Sequence, residues 1–176
     1  MKAPWATTVL IALSLSIGMT GSAAGQSAAG DSPLLTRTTL VNDFGVELGG
    51  HSLIYSFSYQ RMVSPLVGLE ASVAGLGSGS TTSGGGGALV LGSVGARLYF
   101  LQKDASPFAT AGLVFANAST DSGPFSSNSS SASYGYTGLG FEFRSPSGFV
   151  LRAALYGLIH SGDYIIWPGL TVGYAF

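Results

Sequence analysis

Eight times between residues 42 and 176 the chain alternates apolar with polar or glycine residues over about ten positions and then breaks, the length that a tilted strand needs to cross hydrocarbon. The segments are Asn42–Gly49, Ser52–Met62, Val67–Leu76, Ala88–Leu101, Phe108–Ala116, Ser133–Arg144, Phe149–His160 and Ile166–Phe176. A period of two belongs to an extended strand, whose successive side chains point to opposite faces. One face carries Phe44, Val46 and Leu48, then Phe57 and Tyr59, Leu69 and Val73, Val94 and Leu98, Leu113 and Phe115, Leu139 and Phe141, Leu151 and Leu155, and Leu170 and Val172. The opposite face carries Glu47, Ser58, Gln60, Glu70, Ser93, Arg97, Thr110, Glu142, Arg144, Arg152 and Thr171. Slipping any of these strands by one residue would exchange its faces, so the charges oppose slippage.

The breaks are of two kinds. "VSPL", "QKDASP" and "SPSG" follow the second, fourth and sixth segments and are short. "GSGSTTSGGGG", "NASTDSGPFSSNSSSA" and "SGDY" follow the third, fifth and seventh, and the first two are long and polar; "GGH" after the first segment is short on the long-loop side. Short turns at one end and long loops at the other mark an up-and-down membrane barrel. The expected fold is therefore all-β: an eight-stranded antiparallel up-and-down transmembrane β-barrel, both termini on the periplasmic side. Arg61 alone falls on the wrong face, at a strand end where a long side chain reaches the interface.

Composition agrees with a two-faced sheet. Charged residues are only 9% of the chain, far below the usual quarter of a soluble domain, while 46% apolar content and 11% aromatics exclude disorder. A net charge of −1 offers no field for nucleic acid, and the lack of cysteine removes disulfides and thiolate chemistry. Lys2, the apolar stretch "WATTVLIALSLSIGM" and the small residues of "GSAAGQSAA" read as a cleavable signal peptide over residues 1–24, with cleavage as late as Ala29 the alternative. Residues 25–41 form a loose lead-in and 42–176 the barrel. No later apolar run is long enough for a membrane helix.

Counted from the periplasmic ends, Glu70, Arg97, Glu142 and Arg152 lie shallow in the barrel and Glu47 a little deeper, so an ion-pair cluster of Glu47, Glu70 and Glu142 with Arg97, Arg144 and Arg152 is expected in the lumen. An unpaired charge there would be costly, and an eight-stranded barrel has room for little beyond its own side chains. This argues for a plugged lumen.

Other chemistry is weaker. His160-Ser161 with Asp163, and His51-Ser52, sit at the outer rim and would supply base, nucleophile and orienting carboxylate to a lipid-modifying enzyme; as polar strand ends facing water they need no such role. The glycine-rich loop lacks the Lys-Ser/Thr of a phosphate-binding loop, and two histidines without thiols make a poor metal site, so no cofactor is expected. Tyr134, Tyr136, Tyr164 and Trp167 fit an interfacial aromatic belt, with the lumen mouth an alternative for some.

The chain closes on "GLTVGYAF": Gly169, then alternating apolar residues through Tyr174 to a terminal Phe176. This resembles the C-terminal signal by which outer-membrane barrels are recognised for insertion. With the leader and the eight segments, residues 42–176 resemble the small outer-membrane barrels of the OmpA transmembrane-domain and OmpX kind. The stretch "FGVELGGHSLIYSFSYQRMVSPLVGLEASVAG" is similar to the opening hairpins of that group. The resemblance implies a location in the outer membrane of a diderm bacterium, with outer-membrane lipids and the barrel assembly machinery as partners; in departure from full-length OmpA-type proteins, no peptidoglycan-binding domain is expected after the barrel. It implies no activity. A non-enzymatic structural or surface-interaction role is the leading expectation; a narrow channel or transporter for small apolar solutes, a lipid A-modifying enzyme and a soluble secreted ligand-binding barrel are the alternatives.

Overall fold

The computed structural model describes residues 36–78, 86–121 and 127–176; the expected signal peptide lies outside the described residues. A short helix α1 (Thr36–Thr39) precedes eight strands: β1 (Asn42–Gly49), β2 (Tyr55–Ser64), β3 (Val67–Ser78), β4 (Gly86–Tyr99), β5 (Ala105–Asp121), β6 (Ser127–Arg144), β7 (Phe149–His160) and β8 (Asp163–Ala175). Each pairs antiparallel with its sequence neighbours, and β1 pairs with β8 to close the barrel. At the seam, Asn42 N–H donates to the Phe176 carbonyl at 3.0 Å and Phe176 N–H returns to Asn42 at 2.8 Å. Closure matters because hydrocarbon offers a free strand edge no partner for its amides and carbonyls. Among the described residues no helix is long and apolar enough to cross a membrane.

The apolar face turns outward. Leu139 is 64% exposed, and Phe44, Leu113, Phe141, Leu155 and Val172 are exposed with it, while Ser56, Gln60, Arg97, Glu142 and Thr171 are buried. Such a surface would be a gross liability in water; facing acyl chains it is the favourable arrangement. Arg61 lies exposed on β2, close to the β2–β3 turn.

The outer half departs from expectation in three places. The stretch 117–132, read as a loop, is mostly strand: β5 and β6 pair from Ala105↔Phe143 out to Asp121↔Ser127. Serine and asparagine have weak strand propensity, but here they extend a ladder that the apolar residues below have already set in register. β8 begins at Asp163 because Ser161 and Gly162, with φ of 51° and 97°, make a two-residue turn. Such turns need positive φ at both centres and match the twist of the strands they join. β2 starts at Tyr55 because Gly50–Ser52 form a 3-10 turn. Pro107 lies within β5, against the expected break there. Its carbonyl accepts from Phe100 at 3.0 Å, so its ring nitrogen also faces β4, just past the last pair Tyr99↔Phe108, where no ladder amide is needed.

Hairpin heights differ sharply. β1–β2 pairing stops at Leu48↔Tyr55, whereas β3–β4 continues to Ser78↔Gly87 and β7–β8 to His160↔Asp163. The wall therefore has a low sector at β1–β2, flanked by higher ones.

Candidate functional site: the charged lumen

Alternation delivers four carboxylates (Asp43, Glu47, Glu70, Glu142) and three guanidiniums (Arg97, Arg144, Arg152) to the interior; α1 adds a fourth, Arg37, and all eight are buried. Their formal charges cancel. Glu142, fully buried on β6, is the hub: Arg152 Nε lies 2.5 Å, Arg37 Nε 2.9 Å and Arg144 Nε 3.4 Å from its oxygens. Tyr99 Oη also donates to it, at 2.5 Å. Arg144 and Arg152 reach on to Asp43, at 2.5 and 2.7 Å. Arg97 pairs with Glu70 at 2.5 Å and donates to Gln60, whose amide nitrogen donates to Tyr99 Oη at 2.9 Å. One connected network thus runs from Glu70 to Asp43.

Of the residues expected in the cluster, Glu70, Arg97, Glu142, Arg144 and Arg152 meet in it. Glu47 does not touch an arginine. Its carboxylate faces His51 Nδ1 at 3.0 Å and accepts from Tyr156 Oη at 2.7 Å. Sequence reasoning missed Asp43 and Arg37. Asp43 shares the parity of Glu47 and was legible in the alternation; Arg37 precedes the strands, where no period marks it. The lead-in is also not loose over residues 36–41. Thr36 N–H donates to the Asp104 carboxylate at 3.0 Å, Arg37 donates to the Lys103 carbonyl, and its guanidinium lies 4.2 Å over the Tyr99 ring. α1 is thereby fastened across the short-turn end of the lumen.

His51 corrects the reading of a water-facing rim residue. Gly49 and Gly50, both at φ 69°, hold positive-φ backbone that favours glycine where the chain turns inward, and His51 is 1% exposed. A side chain at Gly50 would collide with the Glu47 carboxylate. His51 Nε2 lies 2.9 Å from Ser93 Oγ and 3.1 Å from Ser72 Oγ, and its ring stacks on Tyr136 at 4.6 Å. Its serine neighbours are therefore across the lumen, and adjacent Ser52 is not one of them. Glu47, His51 and Ser93 have the order of a nucleophile relay. The His51 ring is stacked and its Nε2 lies within hydrogen-bonding distance of two serine hydroxyls, while Nδ1 approaches Glu47 without forming a hydrogen bond. Tyr136 points into the lumen, over Gly95 and Gly112, which leave room for its ring; Tyr134 Oη donates to the His51 carbonyl at 2.7 Å. Tyr164 and Trp167 are exposed at the outer rim. His160 is exposed and approaches the Ser133 carbonyl through Nδ1 at 3.2 Å. No group of three His, Asp or Glu among the described residues is arranged to hold a metal ion.

Because the network is charge-matched, half-pairs cost more than absent pairs. Arg97→Met should strand Glu70 and destabilise the barrel by about 3–5 kcal/mol, whereas Arg97→Met with Glu70→Leu should recover most of that loss. Urea unfolding in detergent micelles, followed by the shift of the folded band on unboiled gels, measures both; equal losses in the two variants would contradict the pairing.

No family model matches the sequence, and no curated protein does. Solved structures do. The chain is similar to the N-terminal β-barrel domain of Pseudomonas aeruginosa OprF, with a TM-score of 0.56 at 20% identity over 77% of this chain and 95% of that one. It is also similar to Ail, the attachment invasion locus protein of Yersinia pestis, solved in complex with the heparin analogue sucrose octasulfate; the TM-score is 0.50 at 19% identity, over 77% of this chain and 94% of that one. At these identities the likeness is one of fold. The chain therefore has the fold of the small eight-stranded outer-membrane barrels, with the apolar exterior and charged interior that a lipid-facing wall requires.

Proposed function

We propose that the protein is a sealed, non-enzymatic outer-membrane barrel that acts through its outer surface. The observation that carries the sealed lumen is the network centred on Glu142: four guanidiniums and four carboxylates crowd an interior of eight-strand size, and Arg37 sits across its short-turn end. The C-terminal Gly169, Tyr174 and Phe176 support delivery by the barrel assembly machinery, with Tyr174 and Phe176 exposed on the lipid side. Surrounding outer-membrane lipids are its constant partners.

The outward contact surface is the tall β5–β6 sector rather than loops. β6 pairs with β7 only from Gly135↔Ile159 inward, so Ser129 and Ser131 stand along an edge that β7 does not cover. The Ser133 carbonyl faces that side, toward His160, and by the alternation of an antiparallel ladder so do the amides and carbonyls of Ser129 and Ser131. An uncharged strand edge without proline matches an extended polypeptide.

Two measurements test these readings. In planar bilayers the wild-type protein should give no unitary conductance, and Arg37→Ala, which removes the cross-lumen guanidinium, should show intermittent openings; steady wild-type conductance would contradict a sealed barrel. Hydrogen-exchange mass spectrometry should find peptides spanning 127–133 more protected in native outer-membrane vesicles than in nanodiscs holding the purified protein. Equal exchange in both would remove the edge as a contact surface.

A further inference from the structure

Above the charged network the lumen changes character. Ala74, Leu91, Val114, Tyr136, Tyr156 and Leu158 form a buried apolar layer. Beyond it, alternation still turns Leu76, Leu89, Ala116, Tyr134, Ile165 and Trp167 toward the barrel axis, but these are no longer buried: Ile165 is 56% and Trp167 39% exposed. The mouth is thus a cup with a closed floor and apolar lower walls, ringed farther out by Ser130, His160 and Asp163, which share the inward parity. On three sides it is walled by β3–β4, β5–β6 and β7–β8; on the fourth, β1–β2 ends at Leu48↔Tyr55. The lip of this low sector is apolar as well. Leu48, Leu53, Ile54 and Leu170 are exposed there and continue the lipid-facing surface to the edge of the cup. The Trp167 indole N–H donates to the Leu53 carbonyl at 2.9 Å and joins lip to wall.

We infer that this cup holds the end of one acyl chain, which leans in over the β1–β2 lip from the surrounding leaflet. Continuity with the lipid-facing surface selects this occupant. Acyl chains already lie against Leu48 and Leu170, and the path inward from there meets apolar side chains, while the buried layer of Leu91, Val114 and Tyr136 stops it short of His51. Covering half-exposed Leu76, Leu89 and Ile165 removes apolar surface from water, which supplies the driving force. The floor makes this a binding site and not a passage, so it stands whether or not the lumen below conducts.

The test uses the full-length chain in phosphatidylcholine nanodiscs doped with a phosphatidylcholine that carries a diazirine at the end of one acyl chain. After photolysis, fragment-ion mass spectrometry locates the adducts. Adducts are expected on inward-facing Leu76, Leu89 and Tyr134 as well as on outward-facing Val73, Val90 and Leu170. Leu89→Glu sets a carboxylate in the cup and should lower the inward adducts about tenfold while those on Val90 persist. Ala116→Trp, which fills the cup without charge, should do the same and covers the case in which the glutamate variant fails to fold. Adducts confined to outward-facing residues in the wild type, or inward adducts unchanged in a folded variant, would overturn the inference.

Discussion

Burying four guanidiniums with four carboxylates inside an eight-stranded wall is tolerable only when each charge meets its opposite, and the rest of this structure follows from that condition. An isolated charge in such a space would cost several kcal/mol, so the strands must hold one register in which Glu142 meets Arg37, Arg144 and Arg152 while Glu70 meets Arg97. The same register turns Leu113, Leu139 and Val172 outward. Solvent selects between the two arrangements of faces: in hydrocarbon, apolar side chains outside and ions inside is the lower-energy one. Backbone closure at Asn42 and Phe176 completes the condition by leaving no unpaired edge at the seam.

Much of this was legible before any coordinate. Alternation located all eight strands, gave β1 and β7 their full extents, and sorted lipid-facing from lumen-facing residues, because a period of two is a direct imprint of pleated backbone on sequence. It failed where side chains stop reporting their environment. Over residues 117–119 and 128–132 both strand faces meet water, so hydrophobicity carries no period, and a regular ladder looked like a serine-rich loop. His51 was misplaced because its position depends on backbone dihedrals at Gly49 and Gly50, not on a repeating pattern. Arg37 lies before the first strand, where alternation has nothing to say.

The unequal hairpins give the outer half a polarity of its own. On the β5–β6 side the wall rises as a polar ribbon; at β1–β2 it is low and greasy, with the 3-10 turn folded inward beneath it. One barrel therefore offers a polar edge to the aqueous side and an apolar lip to the leaflet. Both lie above the charged network. Leu53 at the lip holds φ of 73° and ψ of −49°, a strained γ-turn conformation that costs a non-glycine residue about 1–3 kcal/mol, and its carbonyl is the acceptor for Trp167.

The assignment of faces rests on which side chains touch lipid, and that is directly measurable. With the protein in nanodiscs and only its Leu, Val and Ile methyl groups protonated, nuclear Overhauser effects from acyl-chain methylenes should reach the methyls of Leu113, Leu139 and Val172 and leave that of Val150 silent. Strong contacts to Val150 with none to Leu139 would mean that the two faces are exchanged, and the account of both lumen and membrane would fall.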